Sequence, residues 1–227
     1  MPRPLLIASL GNPPPSYTNT LHSAGHTLLS ALREALGYPP FARDRSLGNG
    51  LVSRGGDFTL WQSPSLMNVS GKAVAGAWKG FLRDLSPDDR AGARLVVVHD
   101  ELESPLGKIK VKKGGSPRGH NGIKSCSGSL GGMEFWRVGV GIGRPESRES
   151  GDVAAYVMRK MTAGEVMRVK GGVEEVLRVD YDALAGDNCV AGCGGLRSQS
   201  LLGRGRSPQS LSDPNNRQNP FRRNRRQ

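Results

Sequence analysis

The stretch Leu95 to Ile123, LVVVHDELESPLGKIKVKKGGSPRGHNGI, decides the reading of the fold, because a buried strand, a carboxylate, a lysine-bearing strand and a His-Asn pair follow one another within it. Leu95, Val96, Val97 and Val98 form a continuous apolar run, the pattern of a strand covered on both faces in a mostly parallel sheet. Asp100 stands just past that run. Ligands of open α/β sheets meet the carboxyl ends of strands, so a carboxylate here is placed for chemistry, whereas a lone loop Asp more often caps a turn. Its company favours chemistry. Lys108, Ile109, Lys110, Val111 and Lys112 alternate charged and apolar, which predicts a half-exposed strand with three ammonium groups on one face, suited to phosphates.

Gly114 to Asn121, GGSPRGHN, has the glycine spacing of a phosphate-binding loop, but His120 and Asn121 occupy the places of its Lys and Ser/Thr. A P-loop is therefore excluded. The segment instead positions His120 and Asn121 at the start of a short helix running toward Leu130, with free backbone N–H groups nearby.

Working outward, Leu5 to Leu10 predicts a strand halted by Gly11-Asn12-Pro13-Pro14-Pro15, with too few glycines for a dinucleotide fingerprint. A helix capped at Asn19 or Thr20 is expected to reach Leu36, which sets His22 in its first turn. There the positive end of the helix dipole would keep the ring neutral near pH 7. His26 falls on the same side without a third metal ligand, and reads as packing or surface. Gly50 to Arg54 and Phe58 to Gln62 predict a hairpin turned at Gly55-Gly56-Asp57. A loop containing Met67 and Asn68 then enters a helix capped at Ser70, with Val74, Ala77, Trp78, Phe81, Leu82 and Leu85 buried. Asn68 reads equally as a turn residue or a ligand. Trp136 to Gly143 predicts a further strand with Arg144 at its carboxyl end. Helices are expected from Gly151 to about Met161 and from Thr162 to about Leu184, the second kinked at Gly171-Gly172.

The 227 residues allow one domain with a sizeable core plus extensions, divided as 1–185 and 186–227. Lys and Arg number 32 against 20 acidic residues, a net charge of +12 that favours a polyanionic partner. Six of those charges lie in residues 187–227, so the body remains basic without them. That last segment, rich in Gly, Ser, Asn, Gln and Arg, predicts disorder, either an arm for nucleic acid or a solvated tail. Three cysteines make neither a disulfide framework nor a zinc set, which suits a reducing compartment. No apolar run approaches the roughly 20 residues needed to span a bilayer. The N-terminus enters a strand directly rather than a targeting segment, so a cytoplasmic location is expected, with the mitochondrion as the alternative.

Taken together, LGNPPPSYTNTLHSAGH at 10–26, SLMNVSGKAV at 65–74, VVVHDELESPLGKIKVKKGG at 96–115 with GHNGIKS at 119–125, and VGVGIGRP at 138–145 resemble the bacterial-type peptidyl-tRNA hydrolase family over about residues 5–185. The resemblance implies a single α/β domain with a twisted mixed, mostly parallel sheet flanked by helices. It also implies a monomer without metal or cofactor, hydrolysing the ester between a peptide and the 3′ ribose of tRNA. It places the catalytic base at His22 and its acidic partner at Asp100. Substrate-binding positions fall at Asn12, Tyr17, Met67, Asn68, His120 and Asn121, and tRNA phosphate-binding positions at Lys110, Lys112 and Arg144. Ester hydrolysis suits these types, since it needs a base to draw a proton from water and donors for the oxyanion. The chain departs from the family at Pro14 and at Ser116-Pro117-Arg118. It departs also at Gly139, where a phosphate-clamping arginine is usual and where Arg137 or Arg144 is expected to substitute. A non-catalytic RNA-binding relative, splicing or ribosome-associated, is the alternative, and the intact set of His22, Asp100, Asn12, Asn68 and Asn121 argues against it. A hydrolase of another ester or amide fits the lysine strand poorly, and no G-x-S-x-G supports a nucleophilic serine.

Overall fold

The computed structural model of the chain describes residues 4–56 and 58–179. The end of the helix expected to Leu184 and the tail expected from Gly186 to Gln227 lie outside the described residues. The elements run β1 (Leu5–Ser9), α1 (Ala24–Ala35), β2 (Ala42–Asp44), β3 (Gly50–Arg54), β4 (Phe58–Gln62), α2 (Ser70–Asp84), α3 (Pro87–Gly92), β5 (Arg94–Glu101), β6 (Ile109–Lys113), α4 (Asn121–Ser129), β7 (Trp136–Gly141), α5 (Ser150–Met158), α6 (Ala163–Gly171) and α7 (Val173–Leu177). The strands make one mixed sheet in the order β2-β3-β4-β1-β5-β7-β6. Its centre, β4-β1-β5-β7, is parallel, and β2, β3 and β6 add antiparallel margins. This is the mixed, mostly parallel sheet that the family resemblance implied, with β5 at its centre as its apolar run required.

Period-two alternation along the central strands divides the core between two faces. Leu5, Ile7, Val96, Val98, Val138 and Val140 pack with Leu28, Leu29 and Leu32 of α1, with Val157 of α5, and with Val169 and Val176 of α6 and α7. Leu6, Ala8, Leu95 and Val97 pack on the other side with Val74, Ala77 and Phe81 of α2 and with Ile123 and Cys126 of α4. Each such fully buried aliphatic side chain contributes about 1.5–3 kcal/mol. The two helical layers thus hold the sheet from both faces. Among the described residues no helix is long and apolar enough to cross a membrane.

The entry to α1 differs from the single helix expected from Asn19 or Thr20. Asn19 takes a left-handed φ of 58°, and Thr20 makes an isolated antiparallel bridge with Lys160. The Leu21 N–H donates to Arg159 O and the Met161 N–H to Asn19 O, so this segment is held extended. His22 therefore lies in a 3-10 turn, Leu21–Ser23, and α1 begins only at Ala24. The same pairing ends α5 at Met158, short of the expected Met161, because Arg159 is extended. A second 3-10 turn, Met67–Val69, precedes α2, and Ser70 Oγ donates to Met67 O instead of capping the helix. The kink expected at Gly171-Gly172 appears as the break between α6 and α7. Gly25 lets α1 press onto the ends of β1 and β5, since a Cβ there would come within 2.7 Å of Leu10 O and 2.9 Å of Val98 O.

Candidate active site

β1 leads to α1 on one face of the sheet, and its neighbour β4 leads to α2 on the other. Two loops leaving adjacent strands in opposite directions open a crevice at their carboxyl ends. Asn12, just after β1, spans it, for its Oδ1 accepts the Met67 N–H at 2.8 Å and its Nδ2 donates to Met158 Sδ at 3.6 Å. A cleft of about 240 Å³ lies here, lined by Asn12, His22, Leu66, Met67, Asn68, Asn121 and Met158. Asn68 and Asn121 also line an adjoining recess of about 400 Å³ with Lys124, Ser125, Gly128 and Ser129.

Asp100 is the penultimate residue of β5, within the strand and not past its end, because pairing with β7 continues as far as Glu101 and Gly141. Its carboxylate is 2% exposed and takes hydrogen bonds from two imidazoles. His22 Nδ1 lies 3.0 Å from each of its oxygens, and His120 Nε2 lies 2.9 Å from Oδ1. An ionised carboxylate only accepts, so both facing nitrogens carry protons. His120 Nδ1 in turn accepts the Ile123 N–H at 3.2 Å, which caps α4 at the helix start that the sequence implied and occupies the second nitrogen of that ring. His22 Nε2 is thereby the nitrogen with a lone pair to offer, on a ring that lines the cleft.

Burial works to raise the Asp100 pKa, but the charges and hydrogen bonds of His120 and His22 hold it well below the carboxylate range. For His22, burial opposes the charged ring, and the Asp100 charge and hydrogen bond outweigh it, leaving the pKa above its ordinary 6.5. This reverses the dipole expectation, since the ring sits in a 3-10 turn beside a carboxylate and not in the first turn of α1. A neutral imidazole with a free nitrogen, whose cation is matched by a buried carboxylate, has the makings of a general base. The same three side chains lie close enough for a metal ion, within 4.8 Å of one another. Hydrogen-bond polarity disfavours one: a cation on His120 Nε2 would drive its proton to Nδ1, opposite the Ile123 N–H.

A family model described as peptidyl-tRNA hydrolase matches residues 6–187. The chain belongs to the peptidyl-tRNA hydrolase family. A probable peptidyl-tRNA hydrolase of Schizosaccharomyces pombe is 40% identical over 73% of this chain and 75% of its own. The peptidyl-tRNA hydrolase of Teredinibacter turnerae is 36% identical over 80% of this chain and 91% of its own. In three dimensions, the crystal structure of peptidyl-tRNA hydrolase from Acinetobacter baumannii aligns with a TM-score of 0.63 at 28% identity, covering 77% of this chain and 85% of that one.

Against this family frame, the structure gathers His22, Asp100, His120, Asn12, Met67, Asn68 and Asn121, and sets Tyr17 apart. Tyr17 is half-buried in the turn before Thr20, whose N–H and Oγ1 donate to the Tyr17 carbonyl at 3.2 and 3.1 Å. Lys110 and Lys112 stand on β6, with Lys112 Nζ 3.8 Å from Glu101 Oε2. Lys108 precedes that strand and pairs with Glu175 at 3.0 Å. Neither arginine expected to replace the one missing at Gly139 is free. Arg144 pairs with Glu103. Arg137 is 1% exposed, and its Nη1 donates to the carbonyls of Gly114, Gly115 and Ser116 at 3.0–3.1 Å, so it holds the loop that delivers His120. His26 is a packing residue, hydrogen-bonded through Nδ1 to Ser9 Oγ at 2.7 Å. The sequence reading missed His99, Leu66 and Met158. His99 was hidden inside an apolar strand, and the two apolar side chains carried no chemical signal.

Proposed function

We propose that this hydrolase cleaves the ester joining a peptide to the 3′ ribose of tRNA, with His22 as general base and Asp100 as its orienting partner. The pair of 3.0 Å bonds from His22 Nδ1 to Asp100 carries the reading, because it leaves Nε2 to act in the cleft. Nε2 takes a proton from water as the oxygen attacks the ester carbonyl, and Asp100 stabilises the resulting imidazolium. The tetrahedral oxyanion is held by side-chain amides, for which Asn12 Nδ2, Asn68 and Asn121 are the donors at hand. Collapse breaks the bond to the ribose 3′ oxygen, which leaves with the proton from His22. Met67 lines the peptide side, His120 fixes Asp100, and Tyr17 supports the loop bearing Asn12.

Lys110 and Lys112, on an exposed edge strand, bind tRNA phosphate, and Arg144 joins them only by leaving Glu103. The enzyme we propose acts as a monomer. We assign the activity to residues 1–185, with 186–227 as an appendage. A peptidyl-tRNA substrate places the enzyme where translation occurs, in cytoplasm or mitochondrion. The test is release of free tRNA from N-acetyl-aminoacyl-tRNA. Wild type should turn over with or without EDTA, and His22→Ala should bind tRNA yet lose about 10²–10⁴-fold in kcat. Equal turnover by His22→Ala would refute the assignment.

A further inference from the structure

One buried imidazole has no part in this mechanism. His99, next to Asp100 on β5, is 1% exposed. Its Nδ1–H donates to the Asp100 carbonyl oxygen at 2.7 Å, while its Nε2 has no hydrogen-bond partner among the described residues. Burial, with His120 beside it, pushes its pKa down to about 3, so the ring stays neutral and Nε2 is a buried, unpaired lone pair. Such a group costs stability, and a phenyl ring of similar shape would avoid the cost.

The sheet explains what the ring does there. The Val98 carbonyl accepts the Leu10 N–H at 2.8 Å, across the β1–β5 ladder. Carbonyls alternate along a strand, so the Asp100 carbonyl points the same way two residues on. By then β1 has ended, and the Asn12 N–H that would have continued the ladder donates to Ser23 Oγ at 3.2 Å. The backbone of Asp100 thus lies at an open crevice with a carbonyl that the sheet no longer holds, and the His99 Nδ1–H takes it. The His99 ring also meets His120, with centroids 5.0 Å apart and planes at 81°. His120 holds the Asp100 carboxylate, and its own ring centroid lies 5.5 Å from that of His22.

We infer that His99 is a positioning residue for hydrolysis, fixing the Asp100 main chain through Nδ1–H and the His120 ring through edge contact, so that the carboxylate meets His22 at the right place. The inference rests on the hydrolase reading given above. Ring and hydrogen bond are separable: His99→Phe keeps the edge contact and removes the donor, whereas His99→Asn keeps a donor at nearly the same position and shortens the ring.

The experiment measures kcat and KM on N-acetyl-aminoacyl-tRNA, the thermal midpoint, and the ring nitrogen signals of His22 and His120 by NMR, for wild type, His99→Phe and His99→Asn. His99→Phe should melt at or above the wild-type temperature, lose about tenfold in kcat with KM within about twofold, and broaden the His120 Nε2–H signal. His99→Asn should recover most of that kcat despite a lower midpoint. Wild-type kcat in His99→Phe, or kcat that tracks melting temperature across the three proteins, overturns the inference. If His99→Phe does not fold, tenfold loss in folded His99→Asn overturns it. Inactive wild type with the expected NMR change would sink the hydrolase reading and leave the positioning intact.

Discussion

Replacing Asp100 by Asn removes one charge and one acceptor while keeping the shape, and the hydrogen bonds around it state the consequence. Oδ1 accepts from both His22 and His120, and Oδ2 from His22 alone. The amide oxygen can serve two donors only from the Oδ1 position. That sets the amide N–H groups at the Oδ2 position, 3.0 Å from His22 Nδ1, where two donors would meet. The ring resolves the conflict by moving its proton to Nε2, and the nitrogen offered to water is then no longer a base. The general-base contribution, about 10²–10⁴-fold or roughly 3–5 kcal/mol of barrier, should vanish from kcat, with KM within about threefold. The pH profile supplies a second readout. In the wild type the base form of His22 requires a pH above its raised pKa. Without the carboxylate only burial acts on the ring, and burial lowers the pKa. The acidic limb of the residual activity should therefore move to lower pH. Single-turnover release of tRNA between pH 5 and 9, with circular dichroism to establish folding, makes the measurement. A kcat within tenfold of wild type, or an acidic limb that stays or rises, would refute the tautomer argument.

Acid should weaken the fold through two buried imidazoles. His26 and His99 are pushed down to about 4 and about 3, so between pH 6.5 and those values the unfolded chain binds protons that the native state refuses. Each then lowers stability by about 2 kcal/mol at pH 5 relative to pH 8, while His22, raised, adds stability as pH falls from its raised pKa to 6.5 and keeps that gain below it. In urea titrations the drop from pH 8 to pH 5 should be smaller by about 2 kcal/mol in His99→Phe, and an unchanged drop would contradict the burial. Arg137→Gln should destabilise by about 2–4 kcal/mol and lower kcat, since three loop carbonyls ahead of His120 lose their donor. Urea midpoints and turnover read both effects. Lys110→Ala and Lys112→Ala should each raise KM, reduce the salt slope of tRNA binding by about one and leave kcat alone. Arg144→Ala should do less, its guanidinium being engaged by Glu103.

How much of this was legible in the chain depends on the range of the forces involved. The buried run Leu95 to Val98, the hairpin at Gly55, the helix start at His120-Asn121 and the break at Gly171-Gly172 are local patterns, and each appears where it was expected. The entry to α1 was misread because the bridge of Thr20 to Lys160 joins residues 140 positions apart, and it overrides the capping preference of Asn19 and Thr20. Arg137 was placed differently from expectation for a similar reason. Trp136, Val138 and Val140 share one face of β7, so alternation sends Arg137 to the other, beneath the Gly114 loop. The sequence shows that alternation but not the loop that covers it. Residue types thus named the chemistry, and the fold decided which cation faces solvent and which holds a loop.

The two histidines on Asp100 make the same point about function. By type either could be the base, and both lie within 3.0 Å of one oxygen. They differ in what holds their second nitrogen. His120 spends it on the Ile123 N–H, so taking a further proton there would uncap α4, which begins with Asn121 of the cleft. His22 sits in a turn pinned from behind by the Arg159 and Lys160 backbone, and it is the more exposed ring, 16% against 11%. Its second nitrogen can exchange a proton without breaking a hydrogen bond among the described residues. The proposed assignment of the base to His22 thus draws support from the accounting of hydrogen-bond donors and acceptors as well as from the family, and the same accounting supports the proposed task of His120 and His99 in holding the carboxylate still.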